Sequence, residues 1–331
     1  MQKHLLILIL LALGISSGAW GQKISYDPPK EYRKVIAAAD YQLLVDSAVA
    51  VVGRRYPIEK VADGTITLRA GQADATAFNL RNILATCAAE PDRRAWGPLI
   101  RHHFTSLFSS LDAQKKLDPS SYESMRGYLS LRVYPEALVA QRGGAQNLVT
   151  RVDLPGTVTM LMLDLPGTFS AVPQAGTAQW HQETAALFAQ AQANVNKQAV
   201  QKVTKDFDGP NKQKLTFHFL GNEDYAASYA LDLGADAPEM VGEWGSAVAM
   251  PNKGLVSICP ISRARPLDFV QYIQLSQAAI AKAYQEHAQP VSPDFYWYYQ
   301  GKFTRIPVVT DKDGHVNVLS PLGLSALMTA K

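Results

Sequence analysis

Four short segments that favour tight turns, Asp63-Gly64, Pro251 to Gly254, Gln300-Gly301 and Asp313-Gly314, each separate two candidate strands, with apolar and polar residues alternating on either side of the first. A turn of two or a few residues joins antiparallel neighbours, whereas parallel strands need a long crossover. Between these hairpins lie stretches with helical periodicity, and the two kinds of element follow one another without a regular βα alternation. The pattern predicts an α+β fold of mixed helices and β-hairpins with mostly antiparallel sheet. The 331 residues are 47% hydrophobic and 18% charged, enough for one large core or two modest ones.

The expected elements follow the local signals. Tyr32 to Arg55 repeats apolar residues near helical spacing at Val35, Ile36, Ala39, Leu43, Val45 and Val49. Pro57 to Arg69 is a hairpin about Asp63-Gly64, and Asp74 suits the cap of a helix running to Ala88. A second helix is expected from Pro91 or Asp92 to Leu111, then a strand from Tyr128 to Val139. The paired glycines after Gln141 and Arg142, Gly143 and Gly144, make the best internal boundary, separating an N-terminal region 22–144 from a C-terminal region 145–331 as two subdomains.

Asp153-Leu154-Pro155-Gly156-Thr157 and Asp164-Leu165-Pro166-Gly167-Thr168 bracket the apolar run Val158 to Leu163, which reads as a buried strand with a turn at each end. Trp180 to Lys205 is rich in alanine and glutamine and predicts one long helix. Lys214 to Leu220 is a strand, and Asn222 or Asp224 suits a helix cap before Tyr225 to Leu233. A hairpin at Gly245 to Ile261, a helix from Pro266 to His287 and a closing meander from Phe295 to Leu319 complete the expectation.

Lys3, the apolar run Leu5 to Leu13 and the small-residue ending at Ala19 and Gly21 have the layout of a secretory signal peptide over residues 1–21, cleaved to leave Gln22. The run is shorter than the ~20 residues of a spanning helix, and no later segment is apolar enough to span. The expected location is extracytoplasmic, periplasmic or secreted. The basic residues are dispersed, so no stripe suits nucleic acid. Cys87 continues a helical face and Cys259 a strand face. Both are expected as free buried thiols, although an oxidising compartment would allow a disulfide.

From Leu161 onward, Leu163-Asp164 at a strand end, Trp180 ahead of Ala193-Asn194-Val195, the segment Asp224 to Ser228, the strands around Met250-Pro251 and the stretch Ser292 to Gly301 resemble the YtpQ-like family of uncharacterised bacterial proteins. The resemblance covers a little under half the chain. It implies a similar α+β fold and no particular chemistry. The leader departs from that family's usual members.

Catalytic motifs are sparse. Neither a Gly-x-Ser-x-Gly elbow nor a Ser-x-x-Lys occurs, and no glycine-rich phosphate loop points to a cofactor. A dispersed hydrolase site would draw on Ser228, with Asp224 one turn before it, and His181 or His218; the alternative is that Asp224 caps a helix and Ser228 is packed. No metal site is expected. His102 and His103 are adjacent and point apart on a helix, His181-Gln182-Glu183 lacks a Cys-x-x-Cys partner, and Asp311-Lys312-Asp313-Gly314 is read as a β-turn.

Phe295-Tyr296-Trp297-Tyr298-Tyr299 puts Phe295, Trp297 and Tyr299 on one face of a strand and Tyr296 and Tyr298 on the other. If one face is core, Tyr296, Trp297 and Tyr298 offer a shelf for a glycan or peptide; the alternative is a strand buried on both sides. The expected function is therefore non-catalytic ligand or partner binding, with a hydrolase as the other reading.

Overall fold

The computed structural model describes residues 23–71, 77–141, 143–209, 213–313 and 315–330. The leader and Asp74 lie outside them. The fold is α+β, as the turn pattern implies, and the chain divides into two compact units at Leu111/Asp112. The boundary therefore precedes Gly143-Gly144. Those glycines, at φ +98° and +80°, instead form a turn inside the second unit.

The first unit holds β1 (Lys23–Ile24), α1 (Ala38–Val52), β2 (Ile58–Ala62), β3 (Thr65–Leu68), β4 (Ala77–Asn79), α2 (Arg81–Ala89) and all but the last three residues of α3 (Trp96–Gln114). Its sheet runs β1-β2-β3-β4, with only the β1–β2 pair parallel. Asp63 and Gly64 both take positive φ, as a two-residue hairpin turn requires. A Cβ on Gly64 would also lie 2.8 Å from a Pro29 ring carbon. Helix α1 begins later than its periodicity suggests, and it buries Tyr41, Leu44, Val45, Ala48 and Val52, leaving Leu43 exposed. From α3, Trp96, Ile100, Phe104 and Phe108 point inward at four-residue intervals. Phe78 sits edge-on to Phe104 and Phe108 at 6.0 and 5.9 Å between ring centres.

The second unit begins with α4 (Tyr122–Met125), β5 (Leu129–Pro135), α5 (Glu136–Gln141), β6 (Thr150–Arg151), β7 (Thr157–Leu165), β8 (Thr168–Ala171), α6 (Gln174–Thr177) and α7 (Thr184–Val195). It continues with β9 (Gln201–Asp208), β10 (Lys214–Gly221), α8 (Ala226–Tyr229), α9 (Leu233–Asp236), β11 (Ser246–Asn252), β12 (Leu255–Pro260) and α10 (Asp268–Glu286). The last elements are β13 (Phe295–Tyr299), β14 (Lys302–Ile306), β15 (Val308–Thr310), β16 (Val316–Val318) and α11 (Leu322–Thr329).

An antiparallel six-stranded sheet, in the order β14-β13-β11-β12-β10-β9, is the frame of this unit. Strand β7 centres a smaller sheet, pairing with β5 on one side and with β6 and β8 on the other. One face of the large sheet packs against α10 and α11 through Phe217, Tyr272, Ile273, Phe295, Trp297 and Leu324. Its other face meets β5, α7 and α8 in a core containing Leu131, Phe188, Ala226, Val248, Tyr296 and Tyr298. The long helix expected over Trp180 to Lys205 stops at Val195; the chain turns, and Val203 of β9 pairs with Phe219 of β10. β4 lies where a helix was expected, the strand expected over Lys302 to Thr310 divides into β14 and β15, which pairs with β16 as a separate hairpin, and the closing α11 was not foreseen.

Candidate functional site

Helix α7 and the residue after it place Ala185, Ala189, Gln192, Ala193 and Asn196 on one face, since residues three and four apart are helical neighbours. Opposite this face lie Arg151 of β6 and Leu231 and Asp232 from the 3-10 turn between α8 and α9. The three alanines leave room where larger side chains would fill the groove. The result is an open cleft of about 370 Å³.

Polar groups in the cleft hold each other in place. The Arg151 guanidinium stacks 4.5 Å from the Phe188 ring centre and bonds Asp153 at 2.9 Å. Asn196 donates to the Asp232 carboxylate at 3.0 Å, while its own carbonyl oxygen accepts from Gln192 Nε2 at 2.7 Å. Gln192 Nε2 also donates to the Ser228 carbonyl at 3.1 Å. Both acceptors fix the amide's orientation, so Oε1 points the other way. That oxygen is buried with no hydrogen-bond partner, on a residue only 9% exposed. A buried acceptor left unpaired costs about 1–3 kcal/mol. None of the residues lining the cleft carries a hydroxyl, thiol or imidazole.

The residues singled out from sequence lie elsewhere. Tyr296 is 0% exposed; its hydroxyl donates to the Pro155 carbonyl at 3.0 Å and shares a 2.8 Å bond with Ser292. The Tyr298 hydroxyl accepts from the Gly234 N–H at 2.8 Å, and Trp297 Nε1 donates to the Trp244 carbonyl at 2.8 Å. All three rings are core, because β13 lies between β11 and β14 with packed layers on both faces. The aromatic shelf is thus corrected to a strand buried on both sides.

Ser228 is buried and its hydroxyl donates to the Tyr225 carbonyl at 3.2 Å. Asp224 is no helix cap. Asn222 Oδ1 accepts the N–H groups of Asp224 and Tyr225 instead, and the Asp224 carboxylate bonds Lys253 and Arg132. His218 bonds Thr204 at 2.9 Å, with burial pushing its imidazole below the usual histidine range against the pull of Glu239 and Asp206. His181 is exposed at a left-handed backbone position, φ +49°. Among the described residues no hydrogen bond joins any two of Ser228, Asp224, His181 and His218.

Beside this, Arg132 lies 4.0 Å over the Phe169 ring, and Tyr225 donates to the Asp164 carboxylate. The group joins β5, β7, β8 and the turn before α8, with its charges paired internally. His102 is exposed and His103 half-buried against Phe104 at 5.1 Å. Among the described residues one trio of metal-ligating groups, Asp311, Asp313 and His315, falls within 4.8 Å. All three are exposed, and Asp311 accepts the N–H groups of Asp313 and His315 as a turn residue does.

Sequence reasoning missed the cleft. Gln192 and Asn196 stood among alanines as helix-formers, and their signal was two amides four apart on an otherwise small and apolar face. Arg151 and Asp232 come from distant segments that only the fold brings together. Compared with known proteins, the chain matches no family model, no curated protein and no solved structure. No helix among the described residues is long and apolar enough to cross a membrane.

Proposed function

We propose that this chain is a non-catalytic binding protein that acts outside the cytoplasm, and that the α7 cleft takes a short peptide or amino acid. The observation that carries the reading is that Arg151 and Asp232, of opposite charge, line one open cleft. A guanidinium favours a carboxylate, and a carboxylate favours an ammonium or N–H donor. A zwitterion satisfies both ends, which a neutral glycan does not. That the lining residues carry no hydroxyl, thiol or imidazole supports binding over hydrolysis by a Ser, Cys or His centre. The signal-peptide layout of residues 1–21 supports export.

Titration calorimetry of the exported protein with a di- and tripeptide set, beside neutral oligosaccharides, tests the reading. Binding to peptides that falls about tenfold or more in Asp232→Asn and in Arg151→Met, with folding intact, is expected, a loss of about 1.4 kcal/mol or more. Saccharide binding, or peptide binding indifferent to both substitutions, overturns it.

A further inference from the structure

Strand β9 forms one end of the six-stranded sheet, and every one of its eight residues is exposed. We infer that the free edge of β9 is a self-association surface that pairs antiparallel with β9 of a second copy about a two-fold axis at Lys205. The Gly209 N–H bonds the Gln213 carbonyl at 2.8 Å, closing the β9–β10 hairpin. Antiparallel bonding alternates by two residues, so Phe207, Lys205, Val203 and Gln201 bond inward to β10. The N–H and C=O groups of Lys202, Thr204, Asp206 and Asp208 point outward.

Those four residues also share a face of the sheet. On that face Asp208 pairs with Lys214, Thr216 donates to Asp206 at 2.8 Å, and Lys202 pairs with Glu239. The N-terminal half of the strand is basic and the C-terminal half acidic, so two antiparallel copies are complementary in charge. With the axis at Lys205, Lys202 stands opposite Asp208 of the second copy and Thr204 opposite its Asp206. Lys214, Asp208, Lys202 of the second copy and its Glu239 then alternate in sign across the joined sheets. On the other face Val203, 39% exposed, meets Phe207 of the second copy, 37% exposed and already stacked 4.6 Å from Phe217. Moving the axis to Asp206 would set that short carboxylate against its own mate and separate Lys202 from Asp208 of the second copy, whereas at Lys205 the two ammonium groups sit on long stems that diverge into solvent.

Long open edges are commonly guarded by lysines. Here Lys202 is drawn over the polar face toward Glu239 and the Asp236 carbonyl, and Lys205 is left to face only its mate at the axis.

Sedimentation of the full chain distinguishes these roles. A dimer is expected at about 100 µM. Thr204→Pro deletes an outward donor while leaving the inward bonds, and a folded monomer is expected, since proline is tolerated on an edge. Lys202→Glu and Asp208→Lys should each weaken the dimer about tenfold, and the double reversal should return it to within about threefold of the parent. Should Thr204→Pro fail to fold, the reversal series decides. A parent that stays monomeric at about 100 µM, an assembly larger than a dimer, or a dimer indifferent to the reversals overturns the inference.

Discussion

Arg132 of β5 bonds Asp224, ahead of α8, at 2.7 Å, and only 5% of its side chain is exposed. A guanidinium that deep needs its charge compensated, and Asp224 supplies this while also accepting from Lys253. Burial by itself raises the Asp224 carboxyl, but the bonds from Lys253 and Arg132 outweigh it and hold the carboxyl below the usual carboxylate range. The depressed value means that the stabilisation is present above the unfolded value near 3.8 and is lost as pH falls through the folded one.

Asp224→Asn should therefore destabilise the protein at pH 7 by about 2 kcal/mol. The value sits below that of a fully buried pair because a third of the Asp224 side chain is exposed to screening. Urea unfolding at pH 7 and pH 3 checks it: the difference from the parent should shrink at the lower pH. Equal differences at both would separate Asp224 from the acid limb.

The second prediction concerns β13. Tyr296→Ala should cost roughly 3–5 kcal/mol, as large aromatic truncations in cores do. Tyr296→Phe should cost about 1 kcal/mol by leaving the Pro155 carbonyl without its donor, while Ser292 keeps its bonds to Asp294. Thermal unfolding of the two variants measures both. A surface position would show neither.

How much was legible follows from how local each signal is. Asp63-Gly64 and Gln300-Gly301 could be read directly, because a positive φ at both turn positions is a property of the residues themselves. The two faces of Phe295 to Tyr299 were equally legible from period two. Whether the second face was covered depended on β5, α7 and α8, which the strand does not encode. The alanine- and glutamine-rich run after Trp180 has helical propensity well past Val195, yet pairing of Val203, Lys205 and Phe207 with β10 overrides it. The cleft was the least legible, since Arg151 and Asp232 come from segments far apart in sequence and meet α7 only in the fold.

The cysteines give a third prediction. Both are free and buried, Cys87 in the first unit and Cys259 in the second. Burial pushes their thiols up to about 11 and about 12 respectively, so almost no reactive thiolate exists at neutral pH. Neither should react with a thiol reagent in the native protein at pH 8. Both should react after denaturation without reductant, and labelling that required reductant would reveal a disulfide.

The last prediction rests on Asp236, whose Oδ2 is buried without a partner. Burial and the neighbouring Asp232 charge push its carboxyl up to about 6, against the opposing pull of Lys202. The folded state thus favours the neutral acid, while the unfolded chain ionises near 3.8. As pH rises from about 4 to about 6 the unfolded state loses its proton first, and folding becomes progressively less favourable; above that range the full penalty remains. Asp236→Asn mimics the neutral acid at every pH. It should raise the urea midpoint at pH 8 and leave it close to the parent's at pH 4, with the gain appearing between those values. An equal effect at both pH values would assign the change to packing or to the Lys202 contact, and no gain at pH 8 would mean that the carboxylate is solvated in the folded protein.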